Sequence, residues 1–498
     1  FMFVRGVSTT VAALAIVTVN AFSGLAQGDE SRDAATSVED AAAIHAELPV
    51  NTEERTLADL EGGADAFVLS TSRPQSRIRF DLPPHVAASE AWLRLAARPA
   101  SDSTAGLIHV SVNGGEAITI RPQARPMEAR FALFSGDLQA GENVLEIAYS
   151  TETAAAGWIV DARRSQLRLT LEPIEPVDTL DALEHALAAD FAAPRRIALL
   201  TDESRERVTL ESLVAQAIAL RAGTVPLFTS DPQTADLIVR IAEFDGLGAR
   251  DRGALRNEGT SAGPEIAFYN DGVPRIVVTG RDLDEATAAA RLMAARAFSG
   301  YERNFLASDA ISAQRLGQRQ VRGTGDLMQE ADLRSFATSG LPFSANQGSL
   351  TAVQIASQRD ADRHGALSVL ARAALISGEA WLYAWYGDTA ETAPANHNLL
   401  VIGPGSTRLD AVERNAPAEL RAGLRAAERS RGERGLMRLA AAAYADDVDM
   451  PVETARDLGV GVASLFRDRG NSDRWIATLT APESASFESA GRSLARSN

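Results

Sequence analysis

The spacing of apolar positions along this chain changes character twice. From about residue 61 to 173 the runs are short and alternate with period two. They fall at 66–70, 76–80, 91–96, 107–112, 117–120, 129–134, 143–149 and 166–171. Strict alternation places one face of each run on a core and the other in water, so these runs predict antiparallel strands. Turn residues separate them, including Leu82-Pro83-Pro84, Asn113-Gly114-Gly115 and Ala140-Gly141-Glu142-Asn143. Close strand spacing with such turns predicts a jelly-roll β-sandwich over 61–173.

After Pro173-Ile174-Glu175-Pro176 the pattern becomes one of strands alternating with helices. Strands are predicted at 197–200, 225–228, 237–241 and 276–279, helices at 210–222 and 283–297, and a local hairpin at Asn270-Asp271-Gly272. This defines an α/β block over 174–300, with a helix-covered parallel sheet. A polar connector with one hairpin near 333–355 fills 301–360. A second α/β block runs over 361–498, with helices at 367–376 and after Gly405 and strands at 381–385, 399–402 and 475–479. Val277-Val278-Thr279-Gly280 and Leu400-Val401-Ile402-Gly403 share the form of an apolar strand ending in glycine, which suggests a duplicated module.

The first 60 residues read differently. Arg5 gives a positive start, 11–19 (VAALAIVTV) a short apolar core, and Ser23-Gly24-Leu25-Ala26 the small residues that a signal peptidase reads. Residues 1–26 are therefore expected to be a signal peptide, the mature chain to begin near Gln27, and the protein to reside in the periplasm. Residues 27–60 form an acidic, Ala-rich linker in which Leu48-Pro49-Val50 is the only strand-like island. No other window is apolar for long enough to span a bilayer.

Composition narrows the chemistry. The net charge of −17 excludes nucleic acid as the main partner, since phosphate binding needs a basic face. The sequence holds no Lys and no Cys, which removes Walker-type loops, Schiff bases, thiolate nucleophiles and zinc–thiolate sites. The six His (His45, His85, His109, His185, His364, His397) show no metal-ligand spacing, so no metal is expected. Ser, His and Asp assemble into no triad from spacing, and the many carboxylates single out no acid–base pair. Gly403-Pro404-Gly405-Ser406-Thr407 sits where phosphates bind in α/β folds, but Pro404 lacks an N–H and no Lys follows. Thr201-Asp202-Glu203-Ser204 reads as a helix cap. No catalytic residue and no cofactor is expected.

Aromatic residues make up only 6% of the chain, which gives each more weight. In Ala91-Trp92-Leu93-Arg94-Leu95 the pleat puts the leucines on one face and Trp92 with Arg94 on the other. If the leucines face the core, Trp92 and Arg94 form a glycan contact, the indole stacking on sugar C–H faces and the guanidinium bonding hydroxyls. The other reading packs Trp92 under a loop. Trp158 reads as core, and Trp381, Tyr383 and Trp385 as one face of a strand buried against a helix.

Several of these stretches resemble the BcsB family, the periplasmic accessory subunits of bacterial cellulose synthases. Leu93-Arg94-Leu95, Ile108-His109-Val110-Ser111-Val112-Asn113-Gly114, Gly141-Glu142-Asn143-Val144-Leu145, Gly157-Trp158-Ile159-Val160-Asp161 and Ser165-Gln166-Leu167-Arg168-Leu169 are similar to its first carbohydrate-binding jelly roll. Ala235-Asp236-Leu237-Ile238-Val239, Arg275-Ile276-Val277-Val278-Thr279-Gly280 and Asn398-Leu399-Leu400-Val401-Ile402-Gly403 resemble its flavodoxin-like domains. The resemblance implies a non-catalytic periplasmic subunit that guides a nascent β-glucan and scaffolds the membrane-embedded catalytic subunit, whose cytoplasmic part would respond to cyclic di-GMP. Family members alternate two jelly rolls with two flavodoxin-like domains and end in a membrane helix. Here 301–360 is too short for a second jelly roll, and inner-membrane association is expected to need a C-terminal anchor absent from this sequence. The competing expectation is a periplasmic polysaccharide-processing enzyme carrying a carbohydrate-binding module.

Overall fold

The structure is a computed structural model that describes residues 51–481 except 101–105, 124, 152–156, 257–262, 296–297, 299, 301–303, 307–332, 357–358, 389–392, 405–461 and 469–473. The expected signal peptide, most of the linker, Gly405-Ser406-Thr407 and the helix expected after Gly405 lie outside the described residues. The described chain forms two compact units, one a β-sandwich and the other built from both α/β blocks.

Among the described residues the sandwich contains ten strands in two sheets. The first sheet runs β1 (Asn51–Thr56), β10 (Gln166–Pro173), β4 (Val86–Pro99), β9 (Gly157–Asp161), β2 (Ala66–Ser70), with β7 (Met127–Leu133) on the other side of β4. The second runs β3 (Gln75–Leu82), β8 (Gly141–Ser150), β5 (Leu107–Val112), β6 (Ile118–Ile120). Alternation decides which side chains enter the core: Leu93, Leu95, Ile108, Val110, Leu145, Ile147, Leu167 and Leu169 are all fully buried. Two asparagines fix one end of the second sheet. The Asn113 amide donates to Asn143 Oδ1 at 2.8 Å, and Asn143 donates to the Gln139 and Gly141 carbonyls at 2.8 and 2.9 Å. Asn113 holds a left-handed φ of 51°, which Asn tolerates better than most residues.

In the other unit each α/β module has one five-strand pattern. The first places β12 (Leu227–Thr229), β11 (Arg196–Thr201), β13 (Leu237–Glu243), β15 (Pro274–Gly280) and β14 (Glu265–Asn270) in that order, with β16 (Asn304–Leu306) added at the edge. The second places β18 (Trp385–Gly387), β17 (Thr351–Ile355), β19 (Asn398–Pro404), β21 (Trp475–Ala481) and β20 (Val462–Arg467). By rank among the described strands both read 2-1-3-5-4, with strand 4 antiparallel to strand 5. The 2-1-3 start is that of flavodoxin-like sheets, whose remaining strands instead follow as 4-5. The module is therefore duplicated, but Gly280 ends strand 5 of one copy whereas Gly403 is the penultimate residue of strand 3 of the other. An apolar strand closed by glycine marks any buried parallel strand that meets backbone closely, so the two motifs are not equivalent positions.

Helices α2 (Leu180–Ala188), α3 (Arg207–Ala222) and α5 (Leu283–Ala295) and helix α7 (Asp360–Ser377) fill the space between the two sheets, one apolar core running through both. Smaller helices are α1 (Leu57–Leu60), α4 (Ala249–Gly253) and α6 (Leu333–Ser339). α3 and α7 pack on each other; α7 also reaches β12, as α3 reaches β18. That reciprocity is the mark of a two-fold related pair. Both helices are buried on nearly every side, which explains why polar Glu211, Ser212, Gln216, Asp362, Arg363 and Ser368 lie inside. Gly223 and Gly378, at φ 62° and 72°, end them in the left-handed conformation.

Three expectations change. Asn51–Thr56, placed in a linker, is edge strand β1, held by backbone pairing to β10 despite its polar sequence. The connector hairpin is instead helix α6 and strand β17, the latter the first strand of the second sheet. Trp381 lies in a turn before the short strand β18, and it is fully buried. Among the described residues no helix is long and apolar enough to cross a membrane.

Candidate functional site

Trp92 and Arg94 lie on the outward face of β4, between β10 and β7. Their neighbours Ala91, Leu93 and Leu95 are buried at 2%, 0% and 0% exposure, so alternation turns Trp92 and Arg94 away from the core, where both are half-buried. Strand register then decides which side chains join them. Trp92 faces Arg168 on β10 and Ala132 on β7; Arg94 faces Gln166 and Arg130. The Arg130 guanidinium sits 4.9 Å from the Trp92 ring centroid, a cation–π contact. Arg94 Nε pairs with Glu128 Oε1 at 2.7 Å, and its Nη1 donates to Gln166 Oε1 at 3.2 Å. Arg164 holds the other Glu128 oxygen at 3.0 Å. Thus Arg94 is fixed from both sides while Trp92 shares its ring with a single exposed guanidinium.

Phe134, one residue past β7, is 69% exposed. Its extended backbone continues the alternation beyond buried Leu133, which puts it on the face of Ala132 and diagonal to Trp92. Trp92 and, by strand alternation, Phe134 therefore fall on the side of the sheet that carries Arg94, Arg130 and Arg168, the Phe134 ring itself lying over Gly136. Sugar rings stack on aromatic platforms through their C–H faces, and guanidinium donors bond hydroxyl or carboxylate oxygens. Sequence spacing alone singles out Trp92 and Arg94. Arg130, Phe134 and Arg168 lie 36 to 76 residues away and join them only through strand pairing.

No family model matches the chain, and neither does any curated protein sequence. Among solved structures, it is similar to a family two carbohydrate esterase from Cellvibrio japonicus at 16% identity, over 41% of this chain and 72% of that one, with a TM-score of 0.15. The CBM36-1 domain of a multidomain xylanase from the hindgut metagenome of Trinervitermes trinervoides matches at 11% identity over 24% of this chain and 96% of that one, with a TM-score of 0.17. The GH26-CBM35 β-(1,4)-mannanase of Podospora anserina matches at 13% identity over 39% and 42%, with a TM-score of 0.15. Scores this low establish no shared activity.

The other sequence candidates have structural surroundings of their own. Ligands of doubly wound sheets enter at the carboxyl ends of the strands where the order reverses, which in the first module lies between β11 and β13. Asp202 fills that point: its Oδ1 accepts from Arg240 Nη2 at 2.7 Å, and Arg240 also donates to the Gly246 carbonyl at 2.9 Å. A Cβ on Gly246 would lie 2.6 Å from Asp202 Oδ2, so glycine allows the carboxylate in. Glu203 pairs with Arg207, and no side chain caps α3, so the loop expected to be a helix cap serves ion pairing instead. In the second module Gly403 presses on the residue just past β17, where a Cβ would meet the Ala356 carbonyl at 2.6 Å.

Trp158 is core, as its sequence position suggests. Trp381 donates from its indole to Ser377 at 3.1 Å, while Tyr383 and Trp385 are half-buried. Among the described residues no group of three or more His, Asp or Glu could hold a metal ion. One G-x-S-x-G run, Gly259-Thr260-Ser261-Ala262-Gly263, falls between α4 and β14, and its first four residues lie outside the described residues. A nucleophile elbow needs a strand running into a helix, which is not the order here.

Proposed function

We propose that this chain is a non-catalytic, glycan-binding scaffold that works in the periplasm as an accessory subunit of a cellulose-synthase-like complex, guiding a nascent β-glucan beside the membrane-embedded synthase. One observation carries the glycan part: Trp92 and, by strand alternation, Phe134 fall on the side of the β-sandwich that carries Arg94, Arg130 and Arg168. An aromatic ring in water next to guanidinium donors is costly as surface and useful as a sugar platform. The scaffold part rests on the resemblance of the jelly-roll and flavodoxin-like stretches and on the two like α/β modules joined through α3 and α7. The export part rests on Arg5 and the apolar run at 11–19.

Incubating the purified full chain with insoluble cellulose and with soluble β-glucans tests this reading. Retention on the polymer without release of reducing sugar is expected. Sustained release would make the chain a polysaccharide-processing enzyme, and failure to bind any glucan would remove the glycan role.

A further inference from the structure

The charge on the Trp92 face runs against the charge of the whole chain. The protein carries −17, a field that repels polyanions. On the outward face of the first sheet, however, Arg94, Arg130 and Arg168 stand nearest the indole, with Arg98 and Arg164 farther off, against Glu54, Glu90, Glu128 and Glu172. Glu128 is consumed by Arg94 and Arg164 together. Among the described residues neither Arg130 nor Arg168 pairs with a carboxylate, although Glu54 stands opposite Arg168 in register.

The placement of those two groups is also specific. Arg168 lies on β10 and Arg130 on β7, the strands flanking β4 on either side. Neighbouring strands are about 4.8 Å apart, so the two backbones stand about 10 Å apart with Trp92 between them. A polymer lying along β4 over the indole would therefore have a guanidinium without a carboxylate partner along each edge, that of Arg130 resting 4.9 Å from the ring centroid. In a β-(1→4)-linked chain successive sugars are turned over, so substituents at C6 point alternately to the two edges. Hydroxyls there would need no cations; carboxylates would be matched by both, because guanidinium binds carboxylate with paired, charge-assisted hydrogen bonds.

We infer that the Trp92 face selects a β-linked glycan bearing carboxylate groups, with the indole stacking on the backbone and Arg130 and Arg168 holding the acid groups on opposite edges. This rests on the glycan-binding reading above and narrows its ligand class. The test is calorimetric titration of the full chain with cellohexaose and with the same oligomer oxidised to the uronate at C6, at low and at physiological salt, in the native chain, in Trp92→Ala, and in the double variant Arg130→Gln/Arg168→Gln. The oxidised oligomer should bind about tenfold more tightly at low salt, and added salt should shrink the advantage. The double variant should bring the two oligomers toward parity, and Trp92→Ala should weaken both. Equal affinity of the native chain for the two oligomers, or an advantage that survives the double substitution, overturns the inference and leaves glycan binding standing. Failure of both oligomers to bind overturns glycan binding, and the inference falls with it.

Discussion

Replacing Arg363 by Met should destabilise the α/β unit far more than an ordinary ion-pair loss, because its partner is entirely inside. Glu211 on α3 has 0% exposure. Its Oε1 accepts from Arg207 Nε at 2.9 Å, and its Oε2 faces Arg363 Nε at 2.7 Å from across the helix pair. Asp360 completes a square, 2.5 Å from Arg363 and 3.6 Å from Arg207. Exposed ion pairs contribute under about 1 kcal/mol, whereas removing one partner of a buried pair costs roughly 3–5 kcal/mol by leaving a charge without compensation. Arg207 still serves Glu211 in Arg363→Met, so the lower end, about 3 kcal/mol, is expected. Neutralising both partners in Glu211→Gln/Arg363→Met should recover most of it. Amide hydrogen exchange of the α3 segment in the full chain reads the local opening free energy directly. A loss under about 1 kcal/mol in the single variant, or a double variant as unstable as the single, would refute this argument.

Two further outcomes follow from the same helix pair. Burial, reinforced by Arg363 and Arg207 and opposed by Asp360, pushes His364 down to about 4 from 6.5. The unfolded chain takes up that proton below pH 6.5 while the folded chain refuses it until about pH 4. Stability is therefore lost as pH falls through that window, on the order of 3 kcal/mol in all. Urea midpoints should fall more steeply with acid in the native chain than in His364→Gln, and parallel curves would contradict this. Tyr386 donates its hydroxyl proton to the Trp381 carbonyl at 2.6 Å and accepts from Gln216 Nε2 at 2.9 Å, and burial raises its pKa. Tyr386→Phe leaves both partners short in a dry site, so a loss of about 1–3 kcal/mol is expected in the same unfolding assay, and an unchanged midpoint would show the contact to be idle.

The sandwich was legible because its strands alternate with period two: each of the eight runs coincides with a strand, and Leu93-Arg94-Leu95 made an outward Trp92 one of two readings, beside packing under a loop. β1 was not legible, because Asn51–Thr56 is polar at almost every position and forms an edge strand through its backbone alone. α2 was legible in principle: Thr179 caps it, and Leu180, Leu183 and Leu187 fall at helical spacing. Nothing in the sequence marks Glu211 or Arg363; only the packing of α3 against α7 brings them together inside, 152 residues apart. Arg130, Phe134 and Arg168 escaped for the same reason, since strand register is a long-range property.

The central claim is that the open face around Trp92 binds sugar, and titration of cello-oligosaccharide into the native chain and into Trp92→Ala, with a thermal melt of each, tests it most directly. The indole is half-buried and its named partner is one exposed guanidinium, so the substitution should cost only about 1 kcal/mol of stability. Affinity should fall about tenfold, as expected for loss of a stacking ring. An intact melt with unchanged affinity would move the glycan contact off this face, and a large drop in melting temperature with unchanged affinity per folded molecule would make Trp92 a packing residue.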